Sequence, residues 1–243
     1  TDITANSGTV VIDADTGVGH DDVIDTQIGT LDLDNITSGD VDINETDALD
    51  INQLNQDATG TVNVDAAGTI TVVAAQNGVT GTSGQVELDA DGAASSIVVN
   101  DEVTTTGGAI NILADDDAIF SADGDVTSAG GDVTVTADAN TGGSGTDGAV
   151  TMANGALVNA GSGSVDIDAD EDVTLGGITT TNAGATAVTI TSGNGGVVDG
   201  GIAHTDITAN SGTVVIDADT GVGHDDVIDT QIGTLDLDNI TSG

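Results

Sequence analysis

Short stretches in which every second residue is aliphatic recur along this chain. The clearest is Ser7-Gly8-Thr9-Val10-Val11-Ile12-Asp13-Ala14-Asp15, which returns unchanged from Ser211 to Asp219. Successive side chains of a strand point to opposite faces, so such alternation predicts half-buried β-strands. The first anchors of these stretches are Val10, Leu31, Val62, Val86, Ile110, Val133, Val165, Val188 and Val214, spaced 21 to 32 residues apart. A second anchor follows two residues later, as in Ile12, Leu33, Val64, Leu88, Ile112, Val135, Ile167 and Ile190. Two further on comes a mostly small residue: Ala14, Asn35, Ala66, Ala90, Ala114, Ala137, Ala169 or Ser192. These three columns share one face, and that face is predicted to point inward.

Two residues before most first anchors stands a glycine: Gly8, Gly29, Gly60, Gly84, Gly108, Gly131 or Gly163, with Thr186 at this place in the eighth unit. Such a column suits a turn that needs positive φ or a close approach of backbone. Another apolar set precedes the anchors: Ile3, Ile24, Leu54, Val79, Val103, Val126, Leu157 and Ile178. A third run lies between, in Val41/Ile43, Ile70/Val72, Ile97/Val99, Ala118/Phe120, Val150/Met152 and Val173/Leu175. Self-similarity at 20–50 residues marks a solenoid. The expected fold is therefore all-β: a right-handed parallel β-helix with three short strands per coil and about eight coils per 204-residue period. Right-handed is chosen because left-handed hexapeptide solenoids have short uniform coils.

Residues 1–39 recur identically as 205–243, so 1–204 reads as one period and 205–243 as the start of the next, within one continuous solenoid over 1–243. The two copies are expected to fold alike, one shifted along the axis by about 38 Å at the spacing of stacked strands. Neither end carries a recognisable cap, which suggests a segment cut from a longer array, covalent or stacked end to end.

Composition narrows the function. There is no Lys or Arg, and the net charge is −42. Nucleic-acid binding needs phosphate-neutralising cations, and an anionic membrane surface needs them too. No apolar run is long enough to span a membrane. Without Cys there are no disulfides and no redox clue.

The abundant acids are the candidate chemistry. Asp13, Asp34, Asp65 and Asp89 each follow a second anchor and are expected to stack on successive coils. Like charges at that spacing repel by about 1 kcal/mol per pair in water. Such a ladder reads either as weak Ca²⁺ sites, hard oxygen ligands suiting that ion, or as a hydrated face screened by salt. Gly17-Val18-Gly19-His20-Asp21-Asp22-Val23-Ile24-Asp25 is similar to one turn of the calcium-binding nonapeptide of secreted repeat toxins, which implies Asp21, Asp22 and Asp25 as further ligands; Thr16 replaces its first Gly, and there is one copy per period. The alternative is a Gly-rich corner. His20, His204 and His224, without Cys partners, read as turn residues rather than zinc ligands. The acid runs Asp115-Asp116-Asp117 and Asp168 to Asp172 could suggest catalytic carboxylates, but a chain without Arg or Lys, and with Phe120 as its one aromatic, lacks what a polysaccharide cleft needs; turn acids are the simpler reading. The runs Thr104-Thr105-Thr106 and Thr179-Thr180-Thr181 resemble the Thr faces of ice-binding solenoids, in a column interrupted by Asp25, Asn55 and Val158.

The motifs Gly107-Gly108-Ala109-Ile110-Asn111-Ile112 and Gly130-Gly131-Asp132-Val133-Thr134-Val135 resemble the β-helix shafts of large repetitive bacterial adhesins of the filamentous-haemagglutinin type. The run from Ile190 to Asp199 shares the pattern. The resemblance implies secretion, cell-surface display and an adhesive or scaffolding role. The reading that follows is a non-enzymatic extracellular fibre whose partners are further copies of the same repeat. A calcium-dependent adhesin stalk with its head elsewhere is the alternative, and a carbohydrate-active β-helix enzyme a distant third.

Overall fold

The computed structural model of the chain describes all residues except 20, 58, 139–147, 202–204, 224–225 and 242–243. Among the described residues there is no helix, and hence none long and apolar enough to cross a membrane. All strands join one parallel sheet that winds into a β-solenoid of about 10 turns. Away from the first and last coils, strands pair with those one coil before and one coil after, so the core is an axial tube of stacked side chains.

From Val62 onward each coil has three faces. The first face stacks Val62–Ala66, Val86–Ala90, Ile110–Ala114, Val133–Ala137, Val165–Ala169 and Val188–Ser192. Val62 lies over Val86, Val86 over Ile110, Ile110 over Val133, Val133 over Val165 and Val165 over Val188. The second face begins with Ile70–Val72 and Ile97–Val99, the third with Gly78–Gly81 and Val103–Thr105. Inward residues on all three are buried, and the small column of Ala66, Ala90, Ala114, Ala137 and Ala169 lines the first face as the alternation predicts. Bulk is exchanged between neighbours: Phe120, the one aromatic, packs between Val99 and Met152, while Ala118 in its own strand stays small. Burying each aliphatic side chain stabilises the tube by about 1.5–3 kcal/mol.

The glycine column has a steric cause. A Cβ at Gly108 would run into the carbonyl oxygen of Gly84, and one at Gly84 into that of Gly60. Gly131 and Gly163 repeat the arrangement, each against the glycine one coil earlier. Backbone stacks directly on backbone at this corner, and close approach rather than positive φ demands glycine. The column continues from Gly60 to Gly39 rather than to Gly29 as the spacing suggested.

That difference begins a larger one. Between Leu31 and Val62 lie four apolar segments, Leu31/Leu33, Val41/Ile43, Leu49/Ile51 and Leu54, and three faces cannot hold four in one turn. The chain resolves this with an extra half-turn. Val41–Glu45 takes the first face, Val41 over Val62 and Ile43 over Val64. Leu49–Gln56 is one strand that supplies both other faces, with Leu49 over Ile70 and Leu54 over Val79. Thr30–Asn35 then stacks on Leu49–Gln56, Leu31 over Ile51 and Leu33 over Leu54, with an irregularity at Asp32 where Asn52 is skipped. Leu31 and Val62 are thus not in one column, and Asn35 joins Gln56 instead of the small column. A second correction is a one-residue slip: Val158, not Leu157, is the buried anchor over Val126.

Because of the extra strand, the identical copies occupy different faces. Within each copy the pairing is the same: Ile3 with Thr26 and Ile207 with Thr230, Val10 with Leu31 and Val214 with Leu235. Around them it is not. Val214 stacks on Val188 of the first face, whereas Val10 and Leu31 lead into Ile51 and so into the second. Ile207 stacks on Ile178 of the third face, while Ile24 stacks on Ile43 of the first. One period therefore advances by more than eight turns and fewer than nine, an axial rise of about 40 Å.

Candidate functional site: the outward carboxylates

Where a strand begins, aspartates serve the backbone. Asp40 Oδ1 accepts from Thr61 N at 2.8 Å, Asp125 Oδ1 from Leu157 N at 2.9 Å, Asp132 Oδ1 from Ser164 N at 2.8 Å, and Asp172 Oδ1 from Gly196 N at 2.7 Å. Each bond ties one coil to the next, charge-assisted and stronger than a neutral pair. The acid runs work in the same way. Asp117 accepts from Ala149 N at 2.9 Å, Asp116 from Ser96 Oγ at 3.1 Å, and Asp170 from Asn194 Nδ2 at 2.8 Å.

In mid-strand, a chain without Lys or Arg offsets acids with amides. Asn44 donates to Asp25 at 2.9 Å, Gln53 to Asp34 at 2.7 Å, Asn63 to Asp42 at 3.1 Å and Asn111 to Glu87 at 2.9 Å. Each donor lies one coil after its acceptor.

The expected ladder of Asp13, Asp34, Asp65 and Asp89 divides into two pairs. Asp13 lies over Asp34 on the stack that leads to Asn55, while Asp65 lies over Asp89 on the first face. The extra strand separates them. Asp89 stands between Asp65 and Leu113. Partial burial, then the charges of Asp65, Asp91, Glu87 and Asp115, push its carboxyl up to about 6. Asp65 is raised by partial burial and then by Asp91, Asp42 and Glu87. Further along the same face, Asp166 and Asp168 are raised by partial burial, and next by the charges of Asp168 and Asp170 respectively. Asp168 and Asp170 border a hollow of about 170 Å³ with Thr136, Asp138 and Gly193.

Asp21 and Asp22 are exposed in a loop between Val18, which pairs with Val41, and Ile24, which pairs with Ile43. Both ends of the nonapeptide-like stretch thus rest on one neighbouring strand, Val41–Glu45, which carries no copy of the motif. Gly17 and Gly19 adopt φ of 108° and 76°, which accounts for both glycines. Asp25 is engaged by Asn44, and its N–H by Asp2. His20, His204 and His224 lie outside the described residues. Among the described residues, no three His, Asp or Glu side chains are gathered closely enough to hold a metal ion.

One polar feature escaped the sequence reading, and another was read only in part. Glu45 is fully buried and accepts from Thr26 Oγ1 at 2.7 Å, Ile28 N at 3.0 Å and Thr46 N at 3.0 Å. Burial raises its pKa, and the bonds from Thr26, Ile28 and Asp47 oppose the rise. The third face carries an uncharged outward row, Asn55, Thr80, Thr104, Thr127, Asn159, Thr179 and Thr208, coil by coil. Neither Asp25 nor Val158 interrupts it, contrary to expectation. At one end Gln53, Asn55, Asn77 and Thr80 line a hollow of about 360 Å³.

No protein-family model, curated protein or solved structure matches the chain.

Proposed function

We propose that this chain is a length of extracellular fibre shaft, non-enzymatic and of the kind found in large repetitive bacterial adhesins, in which 204-residue periods follow one another. One observation carries the reading. The second copy joins the stack through ordinary rungs, Ile207 on Ile178, Val214 on Val188 and Val222 on Val197, so one period can follow another without a special junction. Chains of two and three periods, imaged by electron microscopy or measured by X-ray scattering, should form rods that lengthen by about 40 Å per added period at constant width. Particles that widen instead of lengthening would overturn the proposal.

The uncompensated pair Asp65–Asp89 favours a second reading, a calcium-dependent stalk. Cations would act here by relieving repulsion along an acidic face, with Asp13, Asp34, Asp21, Asp22 and Asp25 adding to the same field. Calcium should then raise the melting temperature more than sodium at matched ionic strength, and EDTA should reverse the gain. Indifference to both leaves only a salt-screened surface.

A further inference from the structure

We infer that the free edge of strand Thr230–Asn239 is a docking site for a strand with the sequence of residues 40–56, supplied by a further copy of this repeat. The inference rests on the fibre reading and adds which segment meets which edge. In the first copy, Leu31 and Leu33 are 0% exposed because Ile51 and Leu54 lie directly over them. Their duplicates Leu235 and Leu237 are 49% and 45% exposed. With Ile216, Val222 and Ile228 they line an apolar hollow of about 330 Å³. The first copy shows what fills such a place: Val41 pairs with Val18 and Ile43 with Ile24, the duplicates of Val222 and Ile228.

The polar groups select the same occupant. Glu45 accepts from Thr26 Oγ1 and Ile28 N, whose duplicates are Thr230 and Ile232. Gln56 accepts from Asn35 Nδ2 at 2.7 Å, and Asn239 duplicates Asn35. Gln53 donates to Asp34, which Asp238 duplicates, so the incoming strand brings an amide to an acid that has no cation in this chain to meet. A generic apolar strand would fill the hollow but leave those donors and that carboxylate unserved. An exposed parallel edge with its own complement already present elsewhere in the chain is a template for strand addition.

The test uses a labelled peptide of residues 40–56 added to the whole chain in about 0.15 M salt, where long-range repulsion between acids is screened. Binding should be saturable at one peptide per chain. Amide-exchange protection should rise across Thr230–Asn239 and stay unchanged in the coils from Val62 to Ser192. A peptide carrying Ile51→Asp should bind at least about tenfold more weakly, since a buried rung becomes charged. Leu235→Asp in the chain, with its circular dichroism unchanged because this edge is exposed, should have the same effect. A second form appends residues 40–56 directly after Gly243. Protection of Thr230–Asn239 in either form supports the site. Its absence in both, or equal binding by a scrambled peptide, overturns it. The two readings fail separately: rods that form while this strand stays unprotected in both forms discard the docking site alone, whereas docking without rods discards the fibre alone.

Discussion

The same 39 residues occur twice in this molecule, and among the described residues the two copies share their internal pairing but differ in their surroundings. In the first, Ala5-Asn6-Ser7-Gly8 forms a turn, with Gly8 N bonded to Ala5 O at 2.6 Å and Asn6 at φ 39°. In the second, the same sequence runs within one strand, Ile207–Ala218, with a register irregularity between Ala209 and Thr213. Leu31 and Leu33 are sealed in the first copy and open in the second. Yet Asp2 accepts from Asp25 N in one and Asp206 from Asp229 N in the other. Local sequence determines which residues point inward and which coil partners meet. It does not determine which face of the solenoid they occupy. That is set by the number of strands on either side, and one extra strand, Val41–Glu45, moves all that precedes it.

Removing that strand is the strongest way to break the comparison. Deletion of residues 40–47 leaves Leu31/Leu33, Leu49/Ile51 and Leu54, one apolar segment for each face. Thr30–Asn35 should then move to the first face and lie over Val62–Ala66, as Leu235 and its neighbours lie in the first-face stack of the second copy. Cysteines at positions 34 and 65 should form a disulfide in the shortened chain, because adjacent parallel strands hold opposed residues about 4.8 Å apart, within disulfide reach. In the parent chain position 34 faces Asn55, and the same pair should stay reduced. A disulfide in both chains, or in neither, would show that strand count does not set the face.

A pair of equivalent substitutions sharpens the contrast. Leu33→Asp puts an unpaired charge into a closed core and should cost about 3–5 kcal/mol, with exchange protection lost through the first coils. Leu237→Asp changes the duplicate residue on an open edge and should cost less than about 1 kcal/mol. Chemical denaturation of both variants measures the difference. Equal losses would mean that the two edges are equally covered in solution.

The coils from Val62 to Ser192 were legible in the sequence, and the first two turns were not. Alternation says which side chains face inward, and from Val62 the glycine and alanine columns confirm which coil follows which. Before Val62 the 31-residue gap from Leu31 hid a strand, because period-two patterns look the same whether a turn holds three strands or four. The acids were visible as a class, but their roles depend on neighbours one coil away. Asp34 has Gln53 beside it and Asp89 has Asp65, and nothing near either in sequence distinguishes them. Glu45 was hidden for the same reason: its partners Thr26 and Ile28 belong to the preceding turn.

The smallest expected effect separates the copies from the body by titration. Carboxyls held above their ordinary range include Glu45, Asp65, Asp89, Asp166 and Asp168, which lie in the coils between the two copies. A raised pKa means that the folded chain binds protons more readily than the unfolded one, so stability falls as pH rises through the folded value. For Asp89 the window runs from the ordinary carboxylate range near 4 up to about 6. Acidification from pH 7 to pH 5 should therefore raise the melting temperature, the opposite of ordinary acid denaturation. Asp89 is only half-buried, so solvent screening limits its share to about 1 kcal/mol or less. Asp89→Asn should raise stability at pH 7 and shrink the pH dependence, because an amide beside Asp65 copies the Asn–Asp pairing used elsewhere on the surface. Amide exchange should place the change in the coils around Asp65 and Asp89 and leave strand Thr230–Asn239 unaltered. A melting temperature that falls on acidification to pH 5, or one that Asp89→Asn leaves unmoved, would mean that the first-face acids are fully solvated and carry no strain.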